Sequence, residues 1–120
     1  MGRAHEDLEA AEDVLRTTHP DRAAGDAYYA MFHAAEALLL TLGLELSTHS
    51  ATHAAFGLHF SKTGKMPAHL HRNMLDAFDA RLTADYDVTV KLRVEEVREI
   101  LSQAKESVAA AEEYLNAAEK

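Results

Sequence analysis

The chain has 120 residues and a formal net charge of −8, with 20 acidic residues against 12 lysines and arginines. This length suits one domain spanning residues 1–120 around one hydrophobic core. The acidic balance opposes loose binding to nucleic acid or to anionic lipid, because such binding depends on a basic surface, and no DNA ligand is expected. The absence of cysteine excludes disulfide bonds and thiolate metal sites and fits a reducing compartment.

The composition predicts an all-α fold, because hydrophobic residues make up 48% of a chain with only 5 Gly and 2 Pro. Apolar runs such as Ala37 to Leu40 are far too short to cross a bilayer, and the acidic start lacks the basic-then-apolar order of a signal peptide. We therefore expect a cytoplasmic protein without a membrane partner.

The first two helices are separated by His19-Pro20, since the residue before proline is pushed out of the helical region. Helix one is predicted from Ala4 to Thr17, and helix two from Asp21 to Leu42. The apolar stripe of helix two is wide, which indicates a central helix touched by several neighbours. Gly43 is expected to end it in a left-handed conformation.

The middle of the chain is predicted to form a third and a fourth helix. Ser47, Thr48 or Ser50 can cap helix three, which should carry a buried face up to Gly64. The residues assigned to that face are Ala54, Phe56, Leu58 and Phe60.

Pro67 suits the first turn of helix four, which should run to about Asp85. The β-branched residues Val88 to Val90 indicate an extended link. A three-four alternation of apolar residues then predicts a final helix from Val94 past Leu115, about 35 Å long. Because the links are short, successive helices should pack antiparallel.

Several stretches in order resemble the small stand-alone prokaryotic branch of the HEPN family (higher eukaryotes and prokaryotes nucleotide-binding). They are Ala27-Tyr-Tyr-Ala-Met-Phe-His-Ala-Ala-Glu-Ala-Leu-Leu, Thr48-His-Ser50, Phe56-Gly-Leu-His-Phe-Ser-Lys-Thr-Gly64 and Ala77-Phe-Asp-Ala-Arg-Leu-Thr-Ala-Asp-Tyr86. The resemblance implies an up-and-down bundle of four long helices with a shorter fifth, a homodimer, and a minimal nucleotidyltransferase as partner in a toxin–antitoxin-like pair.

Many relatives in that family cut RNA without a metal, using an Arg followed four to six positions later by a His. This sequence departs from that signature, because the residues from Leu82 to Asp87 that follow Arg81 include no histidine. The first hypothesis is therefore a nucleotide- or RNA-phosphate-binding protein with Arg81, Asp85 and Tyr86 at the cleft. The second is a ribonuclease that takes a proton shuttle, His33 or His49, from elsewhere in the fold, and the third is a plain scaffolding bundle.

Each candidate side chain also has an ordinary structural interpretation. Arg81 and Asp85 lie four residues apart and could form a simple ion pair, although the forked donors of arginine also suit phosphate. Tyr86, with an ordinary pKa near 10, is a poor general base but could anchor a ligand or accept a nucleotidyl group.

The remaining candidates for nucleotide or phosphate binding come from helix two and from the stretch between Glu45 and Asp76, which contains no acidic residue. They are Tyr29, His33, Thr48, His49 and Lys62. Tyr28 is interpreted as a core residue, and Thr48 as a helix cap. His49 and His53 have the spacing of a helical metal pair, but no acidic ligand lies near them in sequence, so no metal and no cofactor is expected.

Overall fold

A computed structural model describes residues 1–17, 20–86 and 92–118, and within these it leaves the side chains of 14–17 and of Tyr86 undescribed. The described residues form five α-helices: α1 (Gly2–Thr17), α2 (Pro20–Leu40), α3 (His49–Phe56), α4 (Ala68–Tyr86) and α5 (Val94–Ala118). The bundle measures 44 × 24 × 23 Å. The predicted all-α bundle of four long helices and one shorter helix is confirmed.

Helix α2 is the central element, as its wide apolar stripe predicts. It packs against α1, α3, α4 and α5. Its buried positions include six alanines, which let neighbouring helices approach closely, together with larger side chains. The larger buried residues are Tyr28, Met31, Phe32, Leu38 and Leu39.

The end of α2 is capped as the sequence predicts. Gly43 has a φ of +73°, and its N–H donates to the carbonyl of Leu40 at 2.9 Å while the N–H of Leu44 donates to that of Leu39 at 3.1 Å. This pair of hydrogen bonds is the Schellman arrangement, which satisfies carbonyls that the helix end leaves without partners.

Helix α3 ends differently from the prediction, because it widens into a π-helical turn over Gly57–Ser61. The N–H of Lys62 donates to the carbonyl of Gly57 at 2.9 Å, which is the i to i+5 pattern of a π-helix. Gly64, with a φ of +76°, follows this turn.

The assignment of Ala54 and Leu58 to the buried face of α3 is wrong, since Ala54 is exposed as well. Leu58 is 55% exposed, whereas Phe56 and Phe60 are buried and stack with their ring centroids 5.8 Å apart. Apolar residues at positions 56, 58 and 60 repeat every two residues, a period that a helix cannot place on one face.

Helices α4 and α5 complete the core. Leu70, Met74 and Ala77 of α4 and Val97, Leu101 and Val108 of α5 are buried. The Asp21 carboxylate at the start of α2 accepts a hydrogen bond from the N–H of Leu92 at 3.1 Å, which ties the segment before α5 to the bundle. The predicted extended link at Val88 to Val90 lies outside the described residues.

No helix in the described part of the chain combines the length and the apolarity that a membrane crossing requires.

Candidate functional site

Arg81 lies against the face of Tyr29, across the contact between α4 and α2. The guanidinium carbon is 5.1 Å from the centroid of the Tyr29 ring, within the range of a cation–π interaction. Gly25, one helical turn before Tyr29, lies beside Arg81, and a Cβ at that position would lie 3.8 Å from Cδ and Nε of Arg81, an ordinary van der Waals distance. The arginine therefore lies along α2 with 27% of its side chain exposed.

The ion pair between Arg81 and Asp85 is loose. Nε of Arg81 is 3.7 Å from Oδ2 of Asp85, and the Asp85 side chain is 51% exposed. An exposed pair of this kind at i, i+4 contributes little to stability, on the order of 0.5 kcal/mol. The geometry leaves most of the guanidinium donors of Arg81 uncommitted to this carboxylate.

His49 joins the same region from the first turn of α3. Its ring stacks on Phe32 with centroids 4.4 Å apart and on Phe78 with centroids 5.6 Å apart. Tyr29 meets the His49 ring edge-on at 5.7 Å, so Tyr29 contacts both this imidazole and the guanidinium of Arg81. Burial and the nearby positive charge of Arg81 lower the pKa of His49.

Tyr28 connects His49 to the core. Its hydroxyl oxygen is 2.6 Å from Nδ1 of His49 and 2.7 Å from Nε2 of the buried His53. Burial raises the pKa of the Tyr28 phenol, so the phenol stays protonated at neutral pH. Burial also lowers the pKa of His53, with smaller effects in the same direction from His49 and His71.

His33 lies against Tyr29 with ring centroids 5.8 Å apart, but its nitrogens point to acidic residues. Its Nδ1 donates to Oδ2 of Asp7 in α1 at 2.5 Å, and its Nε2 is 3.9 Å from Oε1 of Glu36. The same side chain lines a cavity of about 420 Å³ between the start of α1 and the residues that follow α2. Two acidic neighbours therefore engage this imidazole, which makes it a weaker candidate than His49 for chemistry at Arg81.

The other predicted site residues separate from this group. Thr48 caps α3, since its side-chain oxygen accepts a hydrogen bond from the N–H of Ala51 at 3.1 Å. Lys62 is exposed beyond the π-helical turn, and no described contact joins it to Arg81. The Tyr86 side chain lies outside what the structure describes, so its predicted role at the cleft stays a prediction.

The structure thus brings together four of the predicted residues, Arg81, Asp85, Tyr29 and His49. It also places Tyr28 and His53 beside them, two residues that the sequence analysis did not assign to this site. Tyr28 is a core residue, as predicted, but its hydroxyl bridges two histidines. His53 appears in the sequence as half of a metal pair with His49, yet both imidazoles turn toward one phenol. Within the described residues no cluster of three or more His, Cys, Asp or Glu side chains is arranged to hold a metal ion.

Comparison with known proteins gives a consistent result. The family described as "HEPN domain" matches residues 1–120. A UPF0332 protein of Thermotoga maritima is 37% identical over 98% of this chain and 84% of its own length. A UPF0332 protein of Gloeobacter violaceus is 38% identical over 72% of this chain and 68% of its own length.

One further relative carries a functional name. A Methanocaldococcus jannaschii protein named "Putative toxin" is 34% identical over 82% of this chain and 67% of its own length.

Proposed function

Because this chain belongs to the HEPN family, we propose that it is the toxin-like member of a two-protein system and that it binds a nucleotide or an RNA phosphate at Arg81. The observation that carries this proposal is the position of the guanidinium, which lies over Tyr29 and makes only a loose contact with Asp85. Guanidinium donors in a partly desolvated setting suit phosphate oxygens, and an aromatic face beside them suits a base. The name of one relative, which calls that protein a toxin, also supports the toxin-like role.

The first test is the affinity for a fluorescein-labelled single-stranded RNA, measured by fluorescence anisotropy. Arg81→Ala should weaken binding by about 10-fold or more, because a hydrogen bond to a charged group contributes roughly 1.5–3 kcal/mol. Arg81→Lys should give an intermediate loss, since lysine keeps the charge but lacks the fork.

The matched control is Arg93→Ala. Arg93 is an 80% exposed arginine whose Nε is 3.1 Å from Oε1 of Glu96. Its replacement by alanine makes the same change in net charge without removing the guanidinium that lies over Tyr29. Equal losses in the two alanine variants would mean that the RNA senses only overall charge, and the proposal would fail.

A minimal nucleotidyltransferase is the proposed partner, and a homodimer is the proposed assembly. The neighbouring gene gives the simplest test of the partner. If that enzyme labels this protein from ATP and Tyr86→Phe removes the label, the modified residue is identified as well. Light scattering at micromolar concentration tests the dimer, and a monomer would contradict it.

A metal-independent ribonuclease is the second candidate. The specific observation that favours it is that α3 brings His49 to the aromatic group that holds Arg81, although no histidine follows Arg81 in sequence. Loss of both RNA binding and RNA cleavage would leave the third hypothesis, a scaffolding bundle.

A further inference from the structure

The cavity of about 420 Å³ beside His33 is separate from the residues grouped around Arg81. It is bounded by the start of α1, the second half of α2, the residues that follow α2 and one residue of α3. Arg81, Asp85, Tyr29 and His49 are not among the residues that line it. Its volume lies within the range of small-molecule sites, roughly 300–1,000 Å³. The cavity is therefore large enough for an organic ligand and not only for water.

Much of the wall of this cavity is aliphatic. The aliphatic side chains include Ala4, Ala37, Leu39, Leu40, Leu44 and Leu46. An aliphatic group that entered the cavity would leave water together with the surface that it covers, and each buried methylene tightens binding by roughly 4-fold. The wall therefore suits a ligand with an aliphatic stem.

His33 contributes a hydrogen-bond acceptor to this wall when its ring is neutral. Its Nδ1 is 2.5 Å from Oδ2 of Asp7, a carboxylate that can only accept, so the single ring hydrogen is on Nδ1. The other ring nitrogen, Nε2, then has a lone pair. Among the described residues no hydrogen bond engages that nitrogen.

Glu36 places a second acceptor near the first. Its Oε1 is 3.9 Å from Nε2 of His33, which is longer than the roughly 2.7–3.2 Å of a hydrogen bond. Two acceptors at this separation do not bond to each other, but a donor with two or more hydrogens can lie between them and reach both. A primary ammonium has three hydrogens and a positive charge that suits the carboxylate, whereas an alcohol has one hydrogen and no charge.

Two further features of the wall favour a ligand with a charged N–H donor. Thr52 lines the cavity and is 1% exposed, and in the described part of the chain no hydrogen bond of its hydroxyl is found. A buried hydroxyl normally has a partner, and a bound N–H would supply one. The charged side chains on the wall are one arginine and two glutamates, Arg3, Glu36 and Glu45, so negative charge exceeds positive charge there.

We propose that this cavity binds a small-molecule primary amine, whose ammonium group lies between Nε2 of His33 and Oε1 of Glu36 and whose aliphatic stem lies against the leucines. The site differs from the one proposed for phosphate. It therefore goes beyond the proposed function and does not rest on it.

The experiment titrates the full chain with n-hexylammonium chloride at pH 8, where an ordinary imidazole is neutral, and at constant ionic strength. Methyl NMR reports both the affinity and the location. The methyl signals of Leu40 and Leu44 should shift and saturate, whereas those of Val97, which is buried elsewhere in the core, should not.

Two further probes separate the charge from the stem. 1-Hexanol, which has the same carbon chain without the charge, should bind about 10-fold more weakly than n-hexylammonium, because charge-assisted hydrogen bonds are the stronger ones. n-Butylammonium, which is two methylenes shorter, should also bind about 10-fold more weakly.

Glu36→Gln tests the carboxylate with little change in shape. It should weaken binding of n-hexylammonium by about 10-fold or more, since a hydrogen bond to a charged group is lost, and change binding of 1-hexanol by less than about 2-fold. Retained binding of 1-hexanol shows that the cavity of the variant is intact. The matched control is Glu95→Gln, which makes the same change in charge at an exposed glutamate of α5 outside the cavity wall, and it should bind as wild type.

Each contrary result is decisive. If wild type shows no leucine shifts, or binds n-hexylammonium and 1-hexanol equally, the proposal is overturned whatever the variants do. Equal losses in Glu36→Gln and Glu95→Gln would show that the amine senses only overall charge, which also overturns it. None of these results bears on RNA binding at Arg81, so failure here is distinct from failure of the proposed function.

Discussion

Tyr28 is a core side chain whose hydroxyl contacts both histidines of α3. A buried hydroxyl that met no partner would cost about 1–3 kcal/mol, and the two histidines of α3 remove that cost. In the same contact the phenol restricts where each imidazole can hold its hydrogen. The Tyr28 side chain therefore fills space in the core and also satisfies the hydrogen-bonding groups of two histidines.

At the residue scale, we predict that stability falls in mild acid partly because of His53. Its pKa is lowered in the folded protein, whereas in the unfolded chain it takes a proton near pH 6.5. The unfolded state therefore binds more protons as the pH drops. The stabilising contribution is full above about pH 6.5 and is lost as the pH falls through the lower folded pKa.

Urea unfolding at pH 7.5 and pH 5.5 measures this effect. His53→Gln, which keeps a polar group at the position, should lose less free energy of unfolding between the two pH values than wild type does. An equal loss in both proteins would show that His53 does not titrate differently on unfolding.

At the scale of elements, the π-helical turn after α3 controls how α3 meets α4. Gly57 begins this turn, and the ring of His71 lies so close that a Cβ on residue 57 would be 2.7 Å from its Cε1. Glycine is needed here for space, since no positive φ is involved. The close approach lets His71 donate to the carbonyl of His53 at 3.0 Å.

We expect Gly57→Ala to destabilise the protein by about 1–2 kcal/mol, because His71 must move and its hydrogen bond is lost. Thermal unfolding monitored by circular dichroism measures the change. In the double variant with His71→Ala the added methyl group finds space, so the two effects should be less than additive. Full additivity would contradict the close contact.

The helices show which parts of this fold follow from sequence alone. Gly43 and the stripe of α2 follow local rules, and both predictions are confirmed. The π-helical turn does not follow, because the apolar residues that mark α3 alternate with a period of two. The spacing of His49 and His53 places them on one helix face, but the residue they face lies 21 and 25 positions away, and no local pattern encodes that pairing.

At the scale of the whole molecule, binding of RNA must overcome a net charge of −8. The proposed site uses one guanidinium, and no described contact joins it to the cations of the stretch without acids. Lys62, Lys65 and Arg72 are exposed, and Lys65 lies 5.8 Å from the centroid of the Phe60 ring. Affinity should therefore depend on a local contact and only weakly on long-range attraction.

A salt titration tests this expectation. For single strands the slope of log affinity against log salt is about −0.7 per phosphate contacted, so one guanidinium predicts a slope near that value. Arg81→Ala should bring the slope close to zero. A slope of about −3 or steeper would require several cations and would move the site toward the exposed lysines.

The stacked setting of His49 also gives the protein an internal spectroscopic reporter. An imidazole stacked on two benzene rings is shielded by their ring currents, so its carbon-bound hydrogens should resonate upfield of those of exposed residues such as His69. Among the 8 histidines, that signal can be recognised before any variant is made, and its movement during a titration would report directly on what binds beside Arg81.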